Sequence, residues 1–220
     1  MTYTHRFQEG SPCLLPAGKI VCVGRNNAAH ARELGNAVPE TPILFIKPAT
    51  ALCTLEEGFS LPTGRGECHH ETELTVLIGR RLKNADHAAC RAAIAGIGLG
   101  LDLTLRDLQN ELKKKGHPWE VSKAFDGAAP ISPFLSPDAF ADLTDIRFAL
   151  DVNGAPRQRG HSADMITPIL DLLVFISAIF TLEPGDVTMT GTPEGVAALH
   201  PGDTLTLQLA SQTWNSRVIA

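Results

Sequence analysis

From Thr72 to Ile78 polar and apolar residues alternate, and the run stops at Gly79, which predicts a β-strand. Successive side chains on a strand point to opposite faces. Thr72, Leu74, Val76 and Ile78 share one face and can bury, while Glu71 and Glu73 share the other, about 6.5 Å apart. Lys19 to Val23 reads as a short strand closed by Gly24, and Ile43 to Ile46 as a fully apolar strand. Gly96 to Leu101 reads as a buried, glycine-interrupted strand that ends at Asp102. Arg147 to Val152 alternates and turns at Asn153-Gly154, a strong hairpin signal. A strand from Val187 to Thr190 and a hairpin over 203–219 complete the set. Helical periodicity covers Ala28 to Leu34, stopped by Gly35, roughly Ala85 to Ala95, and about Thr104 to Lys115. Thr104 and Asp107 are spaced as a capping box for the last of these. The apolar stretch Met165 to Leu182 supplies a long helix, and residues 47–68 and 120–145 read as mostly loop. Strands and helices mix without regular alternation. That pattern predicts an α+β, mainly β architecture and argues against a doubly wound sheet.

Composition narrows the partners. The 220 residues suffice for one sizeable core over 19–220, preceded by an irregular lead-in over 1–18 that carries Pro12, Pro16 and Gly18. A net charge of −5 speaks against a nucleic-acid backbone as partner. The basic run Lys113-Lys114-Lys115 falls at a helix end, where cations suit the dipole, and reads as solvated. Pro168, Asp171 and Ser177 interrupt Met165 to Leu182, so a buried helix is expected and not a membrane span. Five scattered cysteines without a C-x-x-C pair, and an N-terminus (Met1-Thr2-Tyr3) without an apolar signal core, predict reduced thiols and a cytoplasmic protein.

Several residues carry candidate chemistry. Glu71 and Glu73 repel unless something positive sits between them, and a hard divalent cation fits that gap; an exposed edge strand with solvated glutamates is the plain alternative. Asp102, Arg106 and Gln109 lie at i, i+4 and i+7, apart from the apolar stripe Leu105, Leu108, Leu112. They offer a metal ligand and two substrate-binding groups, or else a solvated stripe at a helix start. His30 and Glu33 are three residues apart on a short helix, which suits a general base with an orienting carboxylate or a surface pair. Lys123 would by default be solvated. Thr190 to Gly195 is a glycine-rich turn able to present N–H groups and a hydroxyl to an anion, but it lacks the lysine of a phosphate loop. No H-x-x-x-H spacing accompanies His69, His70 or His161, which disfavours zinc.

Together these pieces resemble the fumarylacetoacetate hydrolase family, in its small acylpyruvate hydrolase and oxaloacetate decarboxylase branch. The resemblance rests on Lys19 to Asn26, His30, Pro42 to Pro48, His70-Glu71-x-Glu73-Leu74, Leu101-Asp102-Leu103-Thr104-x-Arg106-Asp107-x-Gln109, Lys123-x-Phe125-Asp126, and Leu182-x-x-Gly185-Asp186 running on to Thr190-Gly191-Thr192-Pro193-x-Gly195-Val196. Each motif is weak alone, and the ordered set is specific. Two positions depart from the family pattern: Asn27 stands where Tyr is usual, and Ala197-Ala198 where Gly-Pro is usual.

The resemblance implies a mixed β-sandwich roll with flanking helices, one catalytic domain over 19–220, and a homodimer. It implies Mg²⁺ or Mn²⁺ on Glu71, Glu73 and Asp102, a His30–Glu33 dyad working with Lys123, and substrate contacts from Arg25, Arg106, Gln109, Lys123 and Thr192. The activity expected first is hydrolysis of acylpyruvates, 2,4-dioxo acids such as fumarylpyruvate or acetylpyruvate, to pyruvate and a carboxylic acid through a stabilised enolate. Oxaloacetate decarboxylation, oxaloacetate keto–enol tautomerisation and a homoprotocatechuate-pathway isomerase or decarboxylase are alternatives at the same site. A non-catalytic protein that binds a metal or a 2-oxo acid is a further one. Only Leu34 and alanines can bury in the segment bearing His30, between Gly24 and Gly35. It is therefore expected to be mobile, and open without ligand.

Overall fold

The structure is a computed structural model that describes residues 3–11, 13–33, 35 and 37–219. Met1, Thr2 and Pro12 of the lead-in, and Leu34 of the His30 segment, lie outside the described residues. In chain order the elements are β1 (Ile20–Gly24), α1 (Ala28–Glu33), β2 (Ile43–Lys47), β3 (Leu52–Thr54), β4 (Phe59–Ser60), β5 (Cys68–His70), β6 (Thr72–Ile78), α2 (His87–Ala93), β7 (Ile94–Leu101), β8 (Thr104–Leu105), α3 (Arg106–Lys115) and α4 (Glu120–Lys123). The chain continues through β9 (Ala129–Ile131), β10 (Arg147–Val152), β11 (Ala155–His161), α5 (Ile169–Ile179), β12 (Val187–Met189), β13 (Ala197–Ala198), β14 (Thr204–Leu209) and β15 (Gln212–Ile219). The result is mainly β with flanking helices, as the patterning predicts.

Three sheets form. The largest runs β2-β1-β12-β6-β7-β9-β3, a second runs β11-β10-β14-β15-β4, and a small third runs β13-β5-β8. The alternating strand lies in the middle of the largest sheet, antiparallel to β12 on one side and β7 on the other. Every residue of β6 is buried, which overturns the edge-strand alternative. Alternation there separates two interiors, one apolar and one polar. The glycines of β7 allow close packing: a Cβ at Gly100 would lie 2.8 Å from Thr75 Cγ2 and 3.0 Å from Met189 Cε.

Elsewhere the structure redraws boundaries. Residues 47–68 are not mostly loop, because β3, β4 and the start of β5 fall within them, each strand too short to show a period. The 120–145 stretch likewise holds α4 and β9. No capping box forms: Thr104 belongs to β8 with its hydroxyl on Asp102 O (3.0 Å), and the Asp107 carboxylate accepts instead from Glu67 N (3.4 Å). Gly116 ends α3 in the left-handed conformation (φ 67°). The apolar stretch is helical only over Ile169–Ile179, after Pro168, and among the described residues no helix is long and apolar enough to cross a membrane. The lead-in hydrogen-bonds to the body through His5 Nε2 to Gly185 O (2.9 Å) and Gln8 N to Phe134 O (2.9 Å).

Candidate active site

Glu71 precedes β6, Glu73 lies on it, and Asp102 follows its neighbour β7, so antiparallel pairing brings three carboxylates to one end of the sheet. Their oxygens lie within 4.8 Å of one another and all three residues are buried. Arg106 opens α3 and Lys123 closes α4, and both turn inward: Lys123 Nζ contacts Glu71 Oε2 at 2.8 Å and Asp102 Oδ2 at 2.6 Å, and Arg106 pairs with Glu71 Oε1. The Phe45 ring lies under Lys123, 5.2 Å from its Nζ. Gln109, one turn beyond Arg106, accepts from its guanidinium at 2.7 Å. The readings of a solvated α3 stripe and a solvated Lys123 are overturned; Lys123 is 3% exposed.

The three acids are held unequally. Burial alone would raise the Glu71 carboxyl, but Lys123 and Arg106 overcome it and hold it well below the usual carboxylate range. Glu73 has no such partner. Burial, then the charges of Asp102 and Glu71, push it well above that range, and one N–H bond from Gly191 (2.6 Å) offsets this only in part. Lys123 is raised in turn by Asp102 and Glu71 against the opposing effect of burial. A buried acid cluster with one uncompensated carboxylate fits a hard divalent cation, which takes oxygen ligands.

His30 faces the same cavity, 5% exposed, which removes the surface-pair reading. Its Nδ1 lies 3.1 Å from Glu33 Oε2. A carboxylate only accepts, so the ring proton sits on Nδ1 and leaves Nε2 free for a substrate. Glu33 Oε1 accepts from Gly195 N (2.9 Å). The helix α1 is therefore seated over the cavity, not open as its sparse apolar content suggests. Polar groups pin it: Asn27 Oδ1 caps Ala29 N (3.0 Å) and His30 N (3.1 Å), giving the departure from Tyr a structural use.

The glycine-rich turn meets anions, but they are the protein's own. Gly191 N serves Glu73 and Gly195 N serves Glu33. Thr192 lines the cavity, yet its hydroxyl donates to Thr72 O (3.0 Å) and accepts from Gln158 Nε2 (2.8 Å), so it is not a free donor to substrate. The Ala197-Ala198 departure forms β13, paired with His70 and His69 of β5. Arg25 also lines the cavity.

Sequence reasoning missed three residues. Lys47, fully buried at the end of β2, lies 2.8 Å from Asp102 Oδ1 without hydrogen-bond alignment, and donates to Ala128 O (3.0 Å) and Lys123 O. Its signal was a lysine in phase with the apolar Phe45. Gln158, buried on β11, binds Thr192, Thr72 N and His70, and nothing in the sequence marks it. Lys113, expected at a solvated helix end, lines the cavity.

The site can polarise an anionic substrate beside a positioned imidazole, and known proteins share this framework. The fumarylacetoacetate (FAA) hydrolase C-terminal family model matches residues 19–218. The chain belongs to the fumarylacetoacetate hydrolase family. It is 48% identical over 218 residues to oxaloacetate tautomerase YcgM of Escherichia coli (strain K12), covering 99% of this chain and 100% of that one. It is 42% identical over 184 residues to the mitochondrial oxaloacetate tautomerase FAHD1 of Bos taurus, covering 84% and 83%. The fumarylpyruvate hydrolase of Pseudomonas aeruginosa, solved in complex with Mn²⁺ and pyruvate, superposes with a TM-score of 0.91 at 34% identity, over 99% of this chain and 96% of that one.

Proposed function

We propose that residues 19–220 form one catalytic unit that interconverts the keto and enol forms of oxaloacetate with Mg²⁺ or Mn²⁺ on Glu71, Glu73 and Asp102. The observation that carries this is the convergence of three buried carboxylates and the His30–Glu33 pair on one cavity. The relatives named as oxaloacetate tautomerases support the substrate. They reverse the order expected from the sequence, which put acylpyruvate hydrolysis first. A divalent ion held by Glu71, Glu73 and Asp102 would supply Lewis acidity toward a 2-oxo carboxylate. His30 takes a proton from C3 of oxaloacetate, and its protonated ring, paired with Glu33, returns it to the C2 oxygen. Arg106 and Lys123 offset negative charge as it gathers on that oxygen, and Gln109 orients the C1 carboxylate. Five free cysteines support a reducing compartment such as the cytosol, and the family resemblance supports a homodimer.

The enol absorbs in the ultraviolet, so equilibration of a fresh oxaloacetate solution tests this directly. Acceleration by the Mg²⁺-loaded protein, abolished by a chelator, is expected. Failure to exceed the Mg²⁺ blank would sink the tautomerase reading. The likeness to a fumarylpyruvate hydrolase supports a second reading, C–C hydrolysis of 2,4-dioxo acids, and release of pyruvate from fumarylpyruvate checks it.

A further inference from the structure

Gln158 reaches the carboxylate end of the largest sheet from the edge strand of a different one. On β11 the neighbouring residues 155–157 and 159 are exposed, while Gln158 is fully buried. A buried amide must find partners for two N–H donors and two oxygen lone pairs. All are used. Oε1 accepts from Thr72 N (3.0 Å) and lies 3.0 Å from His70 Nδ1, which therefore carries the ring proton. Nε2 donates to Thr192 Oγ1 (2.8 Å) and Pro193 O (2.9 Å).

The reason for the amide lies in where β12 stops. β12 pairs with β6 over Thr75 to Leu77, and Thr190 N still reaches Leu74 O (3.1 Å). Beyond that point the buried N–H and C=O of Thr72 have no strand on this flank, and unpaired they would be costly. Two side chains stand in for the strand. Gln158 takes the Thr72 N–H, and the Thr192 hydroxyl, which accepts from Gln158, donates to Thr72 O (3.0 Å). Thr72, Gln158 and Thr192 thus close a hydrogen-bonded ring. β11 packs against the same turn: a Cβ at Gly195 would lie 3.4 Å from Gln158 Cγ.

We infer that Gln158 is a positioning residue for the metal site, which sets the separation of Glu71 and Glu73 by holding the peptide groups of Thr72 between them. It does not line the cavity, so it acts through the carboxylates and not on substrate. Its second partner, Thr192, follows Gly191, whose N–H holds Glu73 (2.6 Å), so the ring reaches Glu73 from both sides. The inference rests on the divalent-ion reading above. Mg²⁺ demands near-ideal octahedral geometry, and groups that orient ligands without touching the ion carry much of its affinity.

Titration of the metal-free, full-length protein with Mn²⁺, read by the electron paramagnetic resonance of the free ion, tests this without turnover. Gln158→Met keeps the length of the side chain and removes its hydrogen bonds. It should weaken Mn²⁺ binding by about 10- to 100-fold, the usual weight of a group that orients metal ligands. Thr192→Val opens the ring at another member and should weaken binding comparably, and Thr192→Ser should restore it. In the double variant the losses should fall short of additive, because one ring is broken once. Circular dichroism melting of the metal-free variants separates positioning from support: a purely structural role lowers the midpoint and leaves the affinity of the folded protein intact. Wild-type affinity in folded Gln158→Met would overturn the inference and leave the metal reading standing. If that variant does not fold, wild-type affinity in Thr192→Val overturns it instead. Wild-type protein that takes up no Mn²⁺, or Glu73→Gln that binds it as tightly, would overturn both.

Discussion

The floor and the roof of the site are built on opposite terms. The floor, Glu71, Glu73 and Asp102, sits on the central strands of a seven-stranded sheet with every β6 residue buried. The roof, α1, is a six-residue helix whose buried residues are His30 and Ala31, fastened by hydrogen bonds that Asn27 Oδ1 accepts from Ala29 N and His30 N and that Glu33 Oε1 accepts from Gly195 N. A helix this short has little stability of its own. The carboxylates are placed in packed strands, where relaxation is costly, and His30 is placed on a short helix held by few apolar contacts. The roof should open at low free-energy cost, and the floor should not.

Four measurements break or sharpen that contrast. Glu73→Gln replaces a carboxyl already driven toward neutrality, so the metal-free protein should melt no lower than wild type. Its turnover should fall by roughly three orders of magnitude or more, because a charged oxygen ligand is lost. Retained activity in chelator-treated buffer would remove the metal from the floor. His30→Ala should slow oxaloacetate tautomerisation by roughly two to four orders, the usual worth of a general base. It should slow oxaloacetate decarboxylation less, since loss of CO₂ needs no proton taken from carbon. Equal losses would assign His30 to a step both reactions share.

Lys47→Met tests the floor's support. It removes the cation beside Asp102 Oδ1, leaving Lys123 on Oδ2, and takes the donor from several buried carbonyls, which should lower stability by about 1–3 kcal/mol, read as a shifted urea midpoint. An unchanged midpoint would show that Asp102 does not depend on it. The smallest effect lies far from the site. Burial lowers the His5 pKa below its ordinary value near 6.5. Between the lowered folded value and 6.5 the unfolded chain binds more protons. The His5 contribution is therefore intact above pH 6.5 and erodes as pH falls below it. In metal-free protein the raised Glu73 works in the opposite sense, so the comparison is between wild type and His5→Gln. The variant should lose less stability between pH 7 and 5.5, and equal slopes would refute it.

The elements long enough to show a period were legible: β6, β7, the Asn153-Gly154 hairpin with positive φ at both turn residues, and helices α1, α2, α3 and α5, but not the four-residue α4. Strands of two or three residues, β3, β4 and β5, were not, because pairing partners and not local pattern define them. Nine residues named from the sequence, Glu71, Glu73, Asp102, Arg106, Gln109, Lys123, His30, Arg25 and Thr192, are brought around one cavity by the structure, while Lys113 on the same wall was read as solvated. What the residues alone could not decide was exposure. Glu73 looks solvated on an isolated strand and is buried only because β12 and β7 flank it. Lys47 and Gln158 went unseen for the same reason, since Asp102 lies 55 positions from Lys47, and Thr72 and Thr192 lie 86 and 34 positions from Gln158.

The turn after β12 has a mechanical consequence. Gly191 and Gly195 both have φ 97°, and a Cβ would lie 2.7 Å from Asn26 Cβ at the first and 2.1 Å from Arg157 O at the second. Their N–H groups grip Glu73 below and Glu33 above, so a single five-residue span works as a gauge block between the His30–Glu33 pair and the acids. Any displacement of this span must alter the spacing between the His30–Glu33 pair and the carboxylates.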